Sequence, residues 1–275
     1  MYKRILIALD LEGVNKVVGE PYKGLEEGSD QWFVAREQAA KEVNAAANAL
    51  FEAGAECVAL WDNHGSGKNI DQSSLDKRIE LLSPGHSMPR MSFAKERFDC
   101  ICYFGYHTME GTLGGVLAHT MSSKVVQYYK LNGSYIGEID MDACIAAEMG
   151  MPSVFFAGGD LTCRQAERAV PHLVTVETKK ELERNKAVFR DNGELLSEIG
   201  REIVRAVSTE APINRLSFPA TLEKSFKRVE DAAVYLTRSL DRGLNSRYLE
   251  DEILGKDGHT VVSVVNNIDE FMKAI

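Results

Sequence analysis

No stretch of this 275-residue chain approaches the roughly 20 consecutive apolar residues of a helical membrane span, so a membrane is not an expected partner. The apolar run that follows Met1-Tyr2-Lys3-Arg4 ends at Asp10, too soon for a secretory signal, and the cytoplasm is the expected address. Positive charge is also short. Lys and Arg number 32 against 41 Asp and Glu, giving a net charge of -9. That argues against a nucleic-acid partner, because displacing counterions from a phosphate backbone needs a cationic face. No Cys-x-x-Cys pair exists. The five cysteines, Cys57, Cys100, Cys102, Cys144 and Cys163, are odd in number and three sit inside apolar runs, so they read as buried free thiols in a reducing compartment. Internal repeats and low-complexity tracts are absent too.

What is present is enough for a core without staples. The chain is 44% hydrophobic and long enough for one large domain or two of ordinary size. Ile5 to Leu9 reads as a buried strand, followed by a loop from Gly13 to Ser29. Apolar residues at Phe33, Val34, Val43, Ala47, Leu50 and Phe51 mark a helix starting near Gln31, with Asp30 as its cap and Gly54 at its end. Cys57 to Trp61 is a second buried strand, so strand, helix and strand make a right-handed parallel unit. Further strands are expected at Asp99 to Phe104 and Ser153 to Ala157, and helices at Ile139 to Met149 and from Asp160 to about Val170. Asn132-Gly133 between Val125–Lys130 and Ser134–Ile136 predicts a hairpin.

These elements predict an α/β fold, a parallel-sheet Rossmann-like core with helices on both faces. Past Glu177 a charged run leads into a helix from Glu194 to about Val207, and the tail then alternates. Leu216 to Lys227 is strand-like, Glu230 to Leu240 helical, Thr260 to Val265 a strand and Ile268 to Ile275 a helix. The division expected is a catalytic domain over 1–208 and a smaller C-terminal α+β subdomain over 209–275.

Three segments put metal-type ligands at the carboxyl ends of neighbouring strands: Asp10 and Glu12 after the first, His64 after the second, His107 after Phe104. Loops at that end of an open α/β sheet converge on one crevice above a rigid floor. Carboxylates and imidazoles together suit Zn, Mn or Fe better than Mg. A lone Asp-x-Glu is more often a turn carboxylate and a solvated one, and any single loop histidine is usually just hydrogen-bonded; the coincidence favours a metal. Asp62 either orients a ligand histidine or caps a turn. Gly65-Ser66-Gly67-Lys68 hints at a phosphate loop but fails, because Asp62 stands at the first glycine position and Asn69 at the hydroxyl position. His86, His172 and His259 read as surface groups.

In order along the chain, Leu9-Asp10-Leu11-Glu12-Gly13, Asp62-Asn63-His64, Phe104-Gly105-Tyr106-His107, the segment from Gly115 to Met121, Gly137-Glu138 and the segment from Val154 to Asp160 resemble the M55 family of zinc D-aminopeptidases. The resemblance spans about residues 4 to 177. It implies a dinuclear zinc peptidase that removes N-terminal D-amino acids, D-alanine especially, from short peptides. By position Asp10 bridges two zinc ions, with Glu12, His64, His107 and Glu138 completing their shells, and His119 falls on the histidine proposed as catalytic in that family. A large homo-oligomer, a decameric ring, is also implied. The sequence departs from the family at Met109-Glu110-Gly111 and after Thr178, which leaves substrate preference open. Two rival readings remain: a binuclear hydrolase of other small amides or phosphoesters, and a non-catalytic ring in which metals staple peptide-binding loops.

Overall fold

The computed structural model describes residues 1–82 and 90–275, and His86 lies outside the described residues. In chain order the elements are β1 (Arg4–Leu9), α1 (Asp30–Glu52), β2 (Cys57–Asp62), β3 (Glu80–Leu82), β4 (Cys100–Phe104), β5 (Val126–Leu131), β6 (Ser134–Ile136), α2 (Glu138–Glu148), β7 (Ser153–Gly158), α3 (Asp160–Ala169), β8 (Val174–Glu177), β9 (Lys179–Glu183), β10 (Lys186–Phe189), α4 (Asn192–Ser208), β11 (Ala220–Phe226), α5 (Val229–Asp241), β12 (Asn245–Asp251), β13 (Gly255–Val265) and α6 (Ile268–Ala274).

Six strands form an all-parallel sheet in the order β3-β2-β1-β4-β7-β8. Its strands are apolar on both sides, as a sheet covered on both faces requires. Ile5, Ile7 and Leu9 face a core shared with α1 and α4. Leu6 and Ala8 face the opposite core, with Ile139 and Ile145 of α2, Cys163 and Ala166 of α3, and Phe271 of α6. Because β2 lies on one side of β1 and β4 on the other, the chain reverses its winding between β1 and β4. That switch point is where an open α/β sheet leaves a crevice.

A second sheet, antiparallel, has the order β12-β13-β11-β5-β6. The hairpin β5-β6 thus pairs through Leu222↔Leu131 and Glu223↔Lys130 with a strand from the last quarter of the chain. Its Asn132 (φ 50) and Gly133 (φ 81) adopt the left-handed conformations that the tight turn demands. The second sheet therefore draws strands from both sides of residue 208. β9 and β10 form a separate two-stranded hairpin over the charged run.

Local details depart from the sequence reading in a few places. Ser29, not Asp30, caps α1, its hydroxyl accepting from the Trp32 amide. Gly159 occupies the cap position of α3, and Asp160 instead accepts the Glu181 amide at 2.7 Å. All five cysteines are free: Cys100, Cys102 and Cys163 are buried, while Cys57 and Cys144 are half-buried. His259 is exposed, whereas His172 is half-buried with its Nε2 shut away from any polar partner among the described residues.

Candidate metal centre

The loops leaving β1, β2 and β4 meet above the switch point, joined there by the start of α2. Asp10 directly follows β1, and its amide donates to Phe104 O of the neighbouring strand at 2.8 Å. Glycines let these loops close up. Gly13 donates to Gly105 O at 2.6 Å, and a Cβ on Gly105, whose φ is +70°, would stand 2.0 Å from Asp10 O. No side chain fits there.

The structure brings together Asp10, Glu12, His64, His107, His119 and Glu138. Candidate donor atoms of Asp10, Glu12 and His64 lie within 4.8 Å of one another, as do those of Asp10, His107 and Glu138. Asp10 is common to both groups. A third set, Glu12, His107 and His119, satisfies the same limit, so His119 stands close enough to be counted as a donor. His64 Nε2 is 3.2 Å from Glu12 Oε1, and His107 Nε2 is 3.2 Å from Glu138 Oε1 and 3.5 Å from Asp10 Oδ2.

Two buried polar atoms here, Glu12 Oε2 and His107 Nε2, lack a hydrogen-bond partner among the described residues. Orphans of this kind cost about 1–3 kcal/mol each, and a shared cation removes the cost. The residues present fit such a group: three carboxylates and two imidazoles, mixed nitrogen and oxygen donors suited to zinc. His107 Nδ1 is tied to Thr108 O at 3.0 Å, which leaves Nε2 to face the carboxylates.

The charge state points the same way. Burial works against protonating His64, but Glu12 and Asp10 beside it raise its pKa to about 10. Burial likewise opposes the charged form of His107, and Glu138, Glu12 and Asp10 raise it to about 10. Burial pushes Glu138 up, yet the His107 imidazolium 3.2 Å away and other nearby positive charges bring it down to about 2. Glu12 is also raised by burial and, through His64, ends well below the usual range. Asp10 moves the other way, raised by burial and by the Glu12 carboxylate. Two imidazolium protons thus supply the positive charge that this acidic pocket requires.

His119 differs. Burial and the neighbouring His107 charge lower its pKa, so it is neutral near pH 7. Its ring stacks on His107 at 3.8 Å, and its Nδ1 meets Leu117 O at 2.8 Å, leaving Nε2 for other work. The backbone around it is strained, with Leu117 at φ 52 and Met121 at φ 63. Such residues persist only where their surroundings over-determine them. Here Leu117 N donates to Arg184 O at 2.9 Å, His119 N to Thr108 O at 3.1 Å, and Met121 N to Glu138 Oε1 at 2.7 Å.

Several supporting residues escaped the sequence reading. Arg90 binds Asp142 through Nε and Nη2 at 2.5 and 2.8 Å and lies 3.8 Å from Glu138 Oε2. Tyr106 donates to Asp142 at 2.7 Å and receives the Asn63 amide at 3.2 Å. The spacing of Glu138 and Asp142, four residues on one helix, was the available signal. Asp62 holds the turn that follows β2. It accepts the amides of Asn69 and Ile70, and Asn69 in turn donates to His64 O at 2.6 Å. Lys179 is buried and donates to the carbonyls of Glu12, Val14 and Val17. Glu181 accepts from Val116 N at 2.7 Å and Leu161 N at 3.1 Å, so the charged run braces the loop that carries His119.

Comparison with known proteins identifies the family and the fold. Residues 3–243 match the model of the M55 peptidase family, described as D-aminopeptidase. The D-aminopeptidase of Bacillus subtilis (strain 168) is 24% identical over 184 residues, 66% of this chain; the chain spans 65% of that protein's length. The fold is similar to that of the Zn-dependent D-aminopeptidase DppA from Bacillus subtilis, described as a self-compartmentalizing protease. The TM-score is 0.83 at 21% identity, covering 98% of this chain and 94% of that one. By the extent of the family match, this chain belongs to the M55 family of D-aminopeptidases.

Proposed function

We propose that the chain is a dinuclear zinc aminopeptidase that hydrolyses short peptides or amides carrying an N-terminal D-amino acid such as D-alanine. The observation that carries this reading is the pair of donor groups sharing Asp10, one completed by Glu12 and His64 and the other by His107 and Glu138. Two divalent ions held there would supply Lewis-acid polarisation of the scissile carbonyl and an activated water at neutral pH. The residues do the rest. Asp10, at the end of a buried strand and common to both groups, would hold such ions with little freedom to move. Asp142, Arg90 and Tyr106 hold Glu138 and the β4 loop in place. Neutral His119, with Nε2 free, accepts a proton as the tetrahedral intermediate forms and returns it to the leaving amine. No serine or cysteine nucleophile is required.

Membership of the family and the DppA fold support zinc and D-selectivity, and the description of DppA as self-compartmentalizing supports a homo-oligomer, which we take to be a ten-membered ring. Among the described residues no helix is long and apolar enough to cross a membrane, in keeping with a cytoplasmic enzyme. Parallel assays of D-alanyl and L-alanyl p-nitroanilides and a phosphate monoester test the reading. Faster cleavage of the D-alanyl substrate is expected. Equal or reversed preference removes the D-aminopeptidase assignment, and phosphatase activity alone replaces it with the phosphoesterase reading.

A further inference from the structure

Beside the metal-type residues opens a cleft of about 290 Å³, with Glu12, His64 and His119 on its inner wall. Its volume stands at the small end of ligand clefts, which run from roughly 300 to 1,000 Å³. The outer wall has a charge unlike the rest of the chain. Lys23, Lys124 and Arg184 line it together with the acidic Glu26, on a protein whose net charge is -9. Lys23 spends part of its charge on Glu20 at 3.6 Å. Lys124 has no ion pair among the described residues. Arg184 donates Nη1 to Ala118 O at 2.7 Å, and its other N–H groups find no partner among the described residues. A guanidinium fixed at one nitrogen and open at the others is preorganised for a carboxylate.

Resting on the peptidase reading above, we propose that Arg184 and Lys124 anchor the free α-carboxylate of the substrate, so that the site selects short peptides with an unblocked C-terminus. A substrate whose carbonyl sits beside Glu12, His64 and His119 shares one small cleft with Lys124 and Arg184. A long or C-terminally blocked chain forfeits the charge pairing. Arg184 also touches the carbonyl next to His119, so the anchor and the proton-handling loop share one residue.

The test compares D-alanyl-D-alanine with D-alanyl-D-alaninamide on the intact metal-loaded protein, and repeats the pair with Lys124→Ala and Arg184→Ala. The wild-type chain is expected to prefer the acid in kcat/KM by on the order of tenfold, through KM, as suits a charge-assisted contact made equally in ground and transition state. In each variant the acid-to-amide ratio should fall toward unity, whatever the absolute rate does through the Ala118 contact. A purely structural role would lower both substrates together and leave the ratio, which would overturn the proposal. Equal kcat/KM for acid and amide in the wild type also overturns it while the peptidase reading stands. Hydrolysis of neither substrate overturns that reading and the anchor with it.

Discussion

His107 and His119 lie ring against ring, yet their environments set them apart. His107 sits among Asp10, Glu12 and Glu138, which favour its protonated form, whereas burial and the adjacent positive charge keep His119 neutral. Replacing His64 or His107 by Ala should therefore remove metal and activity together. His119→Ala should cost about 10²–10⁴-fold in turnover with metal content unchanged, measured by elemental analysis beside steady-state kinetics. Because His119 also stands within donor distance of Glu12 and His107, a metal-depleted His119→Ala protein would make it a ligand instead. A second expectation follows from the raised pKa of His64 and His107, about 10 each in the metal-free chain. Both are protonated at pH 8, so zinc loading should release about two protons, read by calorimetry in buffers of different ionisation heat. The sign for the metal-free fold is fixed as well. Stabilisation from these imidazoliums is full below the unfolded value near 6.5 and is lost as pH rises through about 10. Stability of the metal-free protein that rises over that window would contradict the assignment.

At the scale of elements, the site depends on loops brought into contact by glycine. Gly105→Ala places a Cβ 2.0 Å from Asp10 O at a positive φ. It should lower unfolding free energy by at least about 2 kcal/mol and deplete metal, as followed by denaturant titration and elemental analysis. An unaltered midpoint would show that the β1 and β4 loops can part without harm. The strands that feed the site were legible because buried parallel strands are continuous apolar runs; β1, β2, β4 and β7 have that form, and the first three have candidate ligands just past their ends. The Asn132-Gly133 turn was equally clear, but its partner was not: β5 pairs with β11 some ninety residues away, and no local pattern encodes that. β9 and β10 read only as a charged run, because Lys179 and Glu181 find their partners only in three dimensions. β3, β8 and β12 escaped for being short, polar or both. Of the site itself, the ligand types at strand ends were visible, and their supports Arg90 and Asp142 were not, since an ion pair spanning 52 residues leaves no periodicity.

Among the described residues two large apolar cores lie one on each face of the parallel sheet, with a small third cluster of Phe226, Ala232 and Val261, and none includes the candidate ligand side chains. Chelation should accordingly abolish hydrolysis while far-ultraviolet circular dichroism stays near that of the loaded protein, and Tm should fall only by the binding energy lost. Global unfolding on chelation would mean that the metals hold up the fold. Large apolar side chains also stand in solvent on the isolated chain, among them Tyr22, Leu113 and Ile253, and Tyr22 borders the cleft. An assembly that covers them would narrow access to the site and favour small substrates. The claim on which the rest depends is the pair of ions joined by Asp10. Elemental analysis of fully active protein tests it most directly: about two zinc-type ions per chain are predicted, falling in step with activity in His64→Ala and Glu138→Ala, and full activity in protein that contains no metal would contradict it.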